Sequence, residues 1–355
     1  MVTPQQVLEE LKKVKYPGFA RDIVSFGMVK DIEVGSHGVN VILAPTTARE
    51  DILQQIRTAV AATVTQMPGV AAVEVTVTAP EQAPRRVQQG PAGVPGVAHV
   101  IAVASGKGGV GKSTVAVNLA LALTQLGHRV GLLDADVYGP SVPLMLGLTE
   151  RPESTENKRI IPLERFGLKV ISLGLFIAEG TPVIWRGPMI NKLLTQFLRE
   201  VEWGELDYLV LDLPPGTGDA QLTITQQVPL DGGVIVTTPQ DVALEDVKRG
   251  VKMFQQVNAP VLGVVENMSY FLCSGCGDRA ELFGHGGGAA VAKQFDIPFL
   301  GELPLVGELR EAGDNGKPLV AANPEHPQSL AFRAIAQKVV DAVAARPAQA
   351  LPTIH

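Results

Sequence analysis

The residues with the clearest chemical potential form a glycine-rich run, Gly106-Lys107-Gly108-Gly109-Val110-Gly111-Lys112-Ser113-Thr114. A glycine followed after four residues by Gly-Lys-Ser is the spacing of a loop that binds nucleotide phosphates. Glycines let the backbone curl so that its N–H groups meet phosphate oxygens, and the following helix contributes the positive end of its dipole. We expect Lys112 to reach the β- and γ-phosphates of ATP and Ser113 to bind Mg²⁺.

The loop contains a second lysine, Lys107, directly after its first glycine. Phosphate binding by such a loop does not need a lysine at this place. The residue could be a solvated surface charge. It could also neutralise the negative charge that develops on the phosphates during hydrolysis. The residue type alone leaves both interpretations open.

Three aspartates, Asp134, Asp136 and Asp212, stand at or just after the ends of two apolar runs. In open α/β sheets, ligands bind beyond the carboxyl ends of the strands, so these carboxylates should face the phosphate loop. We expect Asp212 and Asp134 to organise Mg²⁺ through its water shell and Asp136 to orient the attacking water. Gly216, in the run after Asp212, would offer its N–H to the γ-phosphate. Each aspartate taken alone could also be a strand-end cap.

The chain has two cysteines, Cys273 and Cys276, with two residues between them. Two thiolates at this spacing can chelate one soft metal centre. A zinc site or an iron–sulfur cubane takes four protein ligands, and two chains related by a two-fold axis would supply four. The open alternatives are a redox dithiol, a zinc site completed by His285, and two inert thiols.

The elements that must position these residues begin at residue 97. Short apolar runs alternate there with helical stretches, and the first helix, Ser113–Leu126, follows the phosphate loop. This alternation predicts a mainly parallel sheet sandwiched by helices, the α/β fold of a P-loop NTPase. The predicted strands are Val100–Ala104, Val130–Asp134, Val170–Ser172, Tyr208–Asp212, Gly233–Thr237 and Val261–Glu266.

Residues 1–79 predict a small α+β domain in the order helix, strand, strand, helix, strand. Thr3, Pro4 and Gln6 form a helix-start pattern. The later elements are a hairpin of Val29–Val34 and Val39–Leu43, a helix from Arg49 to Met67 and the strand Val73–Val77. Residues 80–96 are polar and rich in glycine and proline and predict a linker. Residues 97–345 would then form the ATPase domain and 346–355 a flexible tail.

Composition limits the possible classes of protein. The chain of 355 residues is 46% hydrophobic and has a formal net charge of -6. It lacks the basic stripe of nucleic-acid-binding proteins and an apolar run long enough to span a membrane. Its first residues lack the apolar core of a signal peptide. We therefore expect a cytoplasmic protein that binds neither nucleic acid nor membranes.

Several motifs together resemble the Mrp/ApbC family of iron–sulfur cluster carrier ATPases, which belongs to the MinD/ParA class. The resemblance covers about residues 97–340 and is strengthened by the close cysteine pair. The motifs that carry it are Gly106–Thr114, Asp134–Ser141, Trp185–Met189, Asp212–Asp219, Thr237–Gln240, Glu266–Met268 and the pair Cys273/Cys276.

The resemblance implies a homodimer in which Lys107 crosses the interface to the partner's nucleotide. It implies a bridging [4Fe–4S] cluster on Cys273 and Cys276, slow ATP hydrolysis, and exchange of the cluster with apo iron–sulfur proteins and an assembly scaffold. It also implies that Asn267 contacts the adenine base, with the backbone near Pro304 on the other side. Asn267 could alternatively be an ordinary turn asparagine.

Other interpretations of the same motifs differ in class. A spatial-organising switch ATPase of the ParA/MinD type would show a basic DNA surface or a membrane-binding C-terminal helix, and residues 331–345 lack a strongly basic face. A nitrogenase-like electron donor would have widely separated cluster cysteines. Residues 1–79 resemble a domain fused to bacterial carriers but contain no cysteine, which favours a docking or regulatory role.

Overall fold

A computed structural model describes residues 2–17, 22–25, 27–35, 38–44, 50–70, 72–77, 93–136, 139–176, 187–216, 219–273 and 275–345. The chain divides into two compact units, Met1–Gln89 and Gly90–His355. Most of the predicted linker, residues 80–92, lies outside the described residues, as does the predicted tail.

The first unit is a three-stranded sheet with two helices, in the predicted order of elements. Its elements are α1 (Pro4–Leu11), β1 (Val29–Gly35), β2 (Gly38–Leu43), α2 (Glu50–Thr65) and β3 (Val73–Val77). β1 pairs with β2 in antiparallel fashion, and β2 pairs with β3 in parallel. The start of α1 is a capping box in which the Thr3 hydroxyl accepts from Gln6 N and the Gln6 side chain accepts from Thr3 N.

The core of this unit follows from helical spacing. Ile56, Val60 and Val64 recur every four residues on α2 and are buried. They pack in one cluster with Val7 and Leu11 of α1 and with apolar side chains of the sheet. Burial of one face of each element therefore holds the unit together.

The second unit is built on an eight-stranded sheet. Its strands are β4 (Val97–Ala104), β5 (Val130–Asp134), β6 (Leu163–Arg165), β7 (Leu168–Ser172), β8 (Leu206–Asp212), β9 (Gly232–Thr237), β10 (Val261–Glu266) and β13 (Phe299–Glu302). The strand order is β13-β10-β9-β4-β8-β5-β7-β6, and only β6 pairs in antiparallel fashion. A separate two-stranded hairpin consists of β11 (Phe271–Leu272) and β12 (Arg279–Ala280).

Helices connect these strands. They are α3 (Lys112–Gln125), α4 (Val142–Leu146), α5 (Gly187–Arg199), α6 (Asp219–Thr225), α7 (Asp241–Gln256), α8 (Gly287–Gln294), α9 (Gly307–Asp314), α10 (Leu319–Ala322) and α11 (Pro327–Ala344), with a 3₁₀ turn at Leu173–Phe176. None of the helices in the described part of the chain is long and apolar enough to cross a bilayer.

Both faces of the sheet are covered, which explains the nearly continuous apolar runs of its strands. On β4, Ile101 and Val103 belong to a core cluster shared with α3 and α11. The alternate residues Val100 and Ala102 belong to a second cluster shared with α5 and α7. The predicted mainly parallel sheet between helices is confirmed.

Two strands of the eight-stranded sheet, and the short β11–β12 hairpin, were missed by the sequence prediction. β6 has three residues, and its central Glu164 is exposed at the sheet edge. β13 has four residues and includes Gly301 with a φ of 155°. Strands this short lack the run of alternating or continuous apolar residues on which a sequence-based assignment depends.

Candidate functional site

The glycine-rich loop connects β4 to the first turn of α3, as the sequence predicted. Gly111 is the N-cap of α3 and has a φ of 79°, a backbone conformation that glycine adopts at little cost. A Cβ atom at Gly111 would lie 2.3 Å from Nδ2 of Asn267. The positive φ therefore favours glycine here, and a larger residue would displace the Asn267 amide. The first N–H groups of a helix have no acceptor within the helix, so they are available to a ligand.

Lys112 lies at the centre of a group of buried charges. Its Nζ is 2.6 Å from Oδ1 of Asp212, 3.5 Å from Oδ2 of Asp136 and 3.1 Å from Oγ of Ser113. Burial raises the pKa of Asp212, and the Lys112 ammonium opposes that rise. The other Asp212 oxygen, Oδ2, is buried and has no hydrogen-bond partner among the described residues. An acceptor of this kind is costly unless a donor or cation reaches it, which suits a group that organises Mg²⁺.

Asp134 lies in the same buried region but is held by protein donors. Its carboxylate accepts from Asp136 N at 3.1 Å, Val142 N at 3.3 Å and Ser172 Oγ at 2.9 Å. Burial and the charge of Asp212 raise the pKa of Asp134 to about 7. A nearby divalent cation would favour the ionised form of this carboxyl. Its role in the Mg²⁺ shell stays a prediction.

Two groups expected to contact the nucleotide are hydrogen-bonded to the phosphate loop itself. Gly216 N donates to Ser105 O at 3.0 Å. Asn267 Nδ2 donates to Val110 O at 2.9 Å, and the Asn267 side chain is buried. Both residues therefore support the loop conformation. Their predicted contacts with the γ-phosphate and with adenine stay predictions.

A pocket of about 370 Å³ lies beside the start of α3. Gly111, Thr114, Asn267 and Pro304 line it. Further lining is supplied by apolar side chains of α3, α4 and α9, namely Val117, Leu144, Met145 and Leu309. The pocket adjoins the phosphate loop and is largely apolar, which are properties expected of a site for a nucleotide base.

Lys107 is half-buried and turned toward the end of β9. Its Nζ donates to Oε1 of Gln240 at 3.1 Å. The Lys107 carbonyl accepts from the Ser105 hydroxyl at 2.9 Å, which orders the start of the loop. Lys107 thus has an acceptor on its own chain and remains partly exposed, and its role in hydrolysis stays a prediction.

The cysteine pair lies in the turn of the β11–β12 hairpin. Cys273 N donates to Asp278 O at 3.0 Å, and Gly277 N donates to Cys273 O at 2.8 Å. Cys276 is exposed, and both thiols are free. Hydrogen bonds from the N–H groups of Cys276 and Gly275 lower the pKa of the Cys273 thiol. They therefore favour the thiolate, which is the metal-binding form.

One group of potential metal ligands was found in the described part of the chain, namely Glu266, His285 and Glu302, with ligand atoms within 4.8 Å of one another. It includes neither cysteine. Ser269 Oγ lies between these ligand atoms, at 2.5 Å from Glu266 and 3.2 Å from each of the other two. Arg279 Nη2 is 3.1 Å from His285 Nδ1. A hydroxyl and a guanidinium thus already satisfy this group, which does not favour a zinc site shared by His285 and the cysteines.

Glu266 anchors the base of the cysteine hairpin. Its fully buried carboxylate accepts from Ser269 Oγ, from Gly286 N at 3.2 Å and from Gly288 N at 2.5 Å, at the start of α8. A Cβ atom at Gly288 would lie 3.0 Å from Glu266 Oε2. A side chain at position 288 would therefore force the carboxylate to shift by a few tenths of an ångström, and the helix dipole favours the charge of the carboxylate in its present place.

Replacing Glu266 with alanine is expected to lower the free energy of unfolding of the second unit by about 2–4 kcal/mol, because buried N–H donors lose their acceptor. Urea unfolding followed by tryptophan fluorescence measures this, since both tryptophans belong to that unit by sequence. The matched control is Glu281→Ala, which removes an exposed carboxylate 3.7 Å from Arg279 and should change stability by less than about 0.5 kcal/mol. Equal urea midpoints for the two variants would contradict this assignment.

Comparison with known proteins shows the family to which the chain belongs. Residues 96–340 match the model of the NUBPL iron-transfer P-loop NTPases, and residues 4–77 match that of an iron–sulfur cluster assembly protein. An iron–sulfur cluster carrier protein from Synechocystis is 47% identical over 354 residues, covering 97% of this chain and 98% of the relative. The chain belongs to the iron–sulfur cluster carrier family of P-loop NTPases.

Solved structures agree with this family at the level of fold. A nucleotide-binding protein from Archaeoglobus fulgidus, solved in complex with ADP, is 40% identical with a TM-score of 0.58. The match covers 66% of this chain and 91% of the Archaeoglobus chain. The cell division ATPase MinD from Pyrococcus furiosus is 22% identical with a TM-score of 0.53, covering 68% of this chain and 98% of its own. The second likeness shows the shared fold alone.

The structure brings the phosphate loop and its predicted aspartates together, as expected of a member of this carrier family. Trp185 and Arg186 of the family motif, and residues 217–218, lie outside the described residues. Sequence reasoning gave no role to Gln240, Glu266 or Ser269. Gln240 and Glu266 lie within motifs that carry the family resemblance, and this position was the signal from which a role for them could have been predicted.

Proposed function

We propose that this chain binds Mg·ATP and carries a [4Fe–4S] cluster that bridges two copies of the chain and passes to apo iron–sulfur proteins. The observation that carries the proposal is the pair of free cysteines, with Cys276 exposed and Cys273 partly exposed, in the same compact unit as the phosphate loop. No third ligand group joins the pair among the described residues. Two copies would supply the four thiolates that a cubane cluster uses.

The nucleotide site is proposed as follows. The phosphates of ATP bind at the N-terminus of α3, where Lys112 exchanges its contacts with Asp212 and Asp136 for the β- and γ-phosphates. Ser113 binds Mg²⁺, which neutralises phosphate charge when bound, and Asp212 and Asp134 hold its water shell. Asp136 orients the attacking water for slow hydrolysis. The buried position of these charges strengthens each interaction in the site.

The adenine base is proposed to occupy the pocket beside α3. Its apolar walls suit the faces of a base, and Asn267 lies at the junction of the pocket and the phosphate loop. The ADP complex of the Archaeoglobus protein supports an adenine nucleotide as the ligand. Pro304 also lines the pocket, and the backbone near it would contact the base on the side away from Asn267.

ATP binding and cluster binding are proposed to be coupled through the dimer. Lys107 of one copy would approach the nucleotide of the other, and the loop after Asp212 would change conformation with the γ-phosphate. The strand end that carries Asn267 continues directly into the cysteine hairpin, so a shift at the pocket can reach Cys273. We further propose the cytoplasm as the compartment, where reducing conditions keep both thiols available.

Anaerobic reconstitution with ferrous iron and sulfide tests the proposal. We expect about four irons per two chains, a broad visible absorption band of the cluster, and a dimer by light scattering. Transfer of the cluster to an apo-ferredoxin should differ in rate with and without Mg·ATP. One zinc per chain, or no iron, would contradict the carrier function and favour a switch ATPase of the ParA/MinD type.

A further inference from the structure

Lys107 makes its contact with Gln240 within one chain, although the two residues are 133 positions apart. The contact arises from the sheet order, because β9 lies beside β4 and Ile235 is registered with Ala104. The loop after β4 and the turn after β9 therefore leave the same edge of the sheet side by side. Gln240 belongs to the motif Thr237–Gln240, to which the nucleotide site assigns no role.

The position of Gln240 is fixed by its surroundings. It is the N-cap of α7 with extended backbone angles, and its carbonyl accepts from Ala243 N and Leu244 N. The Thr238 hydroxyl, which is buried, donates to the same Oε1 atom at 3.4 Å. The Gln240 side chain makes no capping hydrogen bond to α7. The amide oxygen is thus held toward Lys107 and is not needed to start the helix.

We propose that Gln240 is a positioning residue that holds Lys107 on its own chain and releases it when two nucleotide-loaded chains meet. This inference rests on the proposed function, in which Lys107 acts on the nucleotide of the partner. In the separate chain, the ammonium donates to Gln240 Oε1. In the dimer, it donates to a phosphate oxygen across the interface. Gln240 therefore sets how readily the dimer forms at a given ATP concentration.

The neutral amide suits this exchange better than a carboxylate would. An amide oxygen accepts a hydrogen bond from an ammonium but leaves its positive charge uncompensated. That charge remains available to attract the phosphates of the partner's nucleotide. A glutamate at position 240 would form an ion pair with Lys107 and hold it more strongly. Glutamine and glutamate differ little in size, so the two can be compared directly.

The test compares Gln240→Ala with Gln240→Glu in ATP-dependent dimerisation, measured by light scattering. The alanine variant should form the dimer at roughly tenfold lower ATP concentration, because the competing hydrogen bond to a charged group is gone. The glutamate variant should need at least about tenfold more ATP. Gln255→Ala and Gln255→Glu, on the exposed side of α7, are the controls for side-chain loss and added charge and should leave dimerisation unchanged.

A merely structural role of Gln240 would weaken the dimer in both variants, and that result would overturn the proposal. The proposal would also be overturned if the two Gln240 variants still differed in dimerisation in a Lys107→Ala background.

Acetylation of Lys107 in the nucleotide-free chain, followed by mass spectrometry, is a test that is independent of dimerisation. It should be faster in Gln240→Ala and slower in Gln240→Glu than in the unaltered chain. An unchanged acetylation rate would refute the proposal that Gln240 holds Lys107. If the acetylation rate changed but no ATP-dependent dimer formed in any variant, the result would count against the proposed dimeric function.

Discussion

Replacing Cys276 with alanine is expected to reduce the iron bound after anaerobic reconstitution from about four per two chains to less than about a tenth of that amount. The reason is that a bridging site at a two-fold axis loses two of its four thiolates from one substitution per chain. Cys273→Ala should give the same loss. ATP binding, measured by fluorescence of a labelled nucleotide, should remain, because both cysteines lie outside the pocket that adjoins the phosphate loop.

Two further variants make this loss specific. Ser274→Ala changes a residue between the cysteines in sequence and should retain the cluster. His285→Ala separates a cubane on four cysteines from a zinc site completed by histidine. A cubane on four cysteines should keep its iron in His285→Ala, whereas a zinc site completed by histidine would lose its metal in that variant. Full iron content in Cys276→Ala, or iron lost only in His285→Ala, would contradict the bridging cluster.

Replacing Lys107 with alanine is expected to lower the rate of ATP hydrolysis by about 1,000-fold, as removal of a charge donated in trans does in related phosphoryl-transfer sites. The affinity for ATP in the separate chain should change little, because Lys107 donates there to Gln240 and not into the pocket. Steady-state phosphate release and equilibrium nucleotide binding measure the two effects separately.

Mixing two inactive variants tests whether Lys107 acts on the partner. A Lys107→Ala chain keeps its own Asp136, and an Asp136→Asn chain keeps its own Lys107. In a mixed dimer, one of the two sites then regains both groups. With random pairing, an equal mixture should recover about one quarter of the hydrolysis rate of the unaltered chain.

The mixed dimer must be demonstrated in the same sample, for example with a tag on one variant. If mixed dimers form and the mixture stays as inactive as each variant alone, Lys107 does not act across the interface. Lys107 would then have to serve its own site. Activity of the Lys107→Ala chain alone at the normal rate would also remove the argument for a nucleotide-dependent dimer.

Local patterns in the sequence were sufficient for the parts of the site that are contiguous in the chain. The spacing from Gly106 to Ser113 predicted the phosphate loop, because loop and helix start are determined by residues a few positions apart. Apolar runs predicted the buried strands, and β5 and β10 begin and end where expected. Asp134 and Asp212 could be placed at one edge because parallel strands share the direction of their carboxyl ends.

The short edge strands and the support of the site could not be obtained in this way. Glu266 follows from the sequence as a strand end, but its role depends on a helix start about twenty residues later that lies against it. The sequence around a glutamate does not reveal the hydrogen-bond donors that stabilise its carboxylate when it is buried. Only the packing of α8 on β10 supplies those N–H groups.

The sequence by itself determined that this protein has a phosphate loop, a buried parallel sheet and a cysteine pair, because each is a property of neighbouring residues. The tertiary structure decided what surrounds them. It brought Asn267 to the Val110 carbonyl across 157 positions and Gln240 to Lys107 across 133. The physical reason is the strand order β10-β9-β4, which aligns three carboxyl ends at one edge of the sheet. That order is set by the burial of whole strands between two layers of helices, and no local pattern records it.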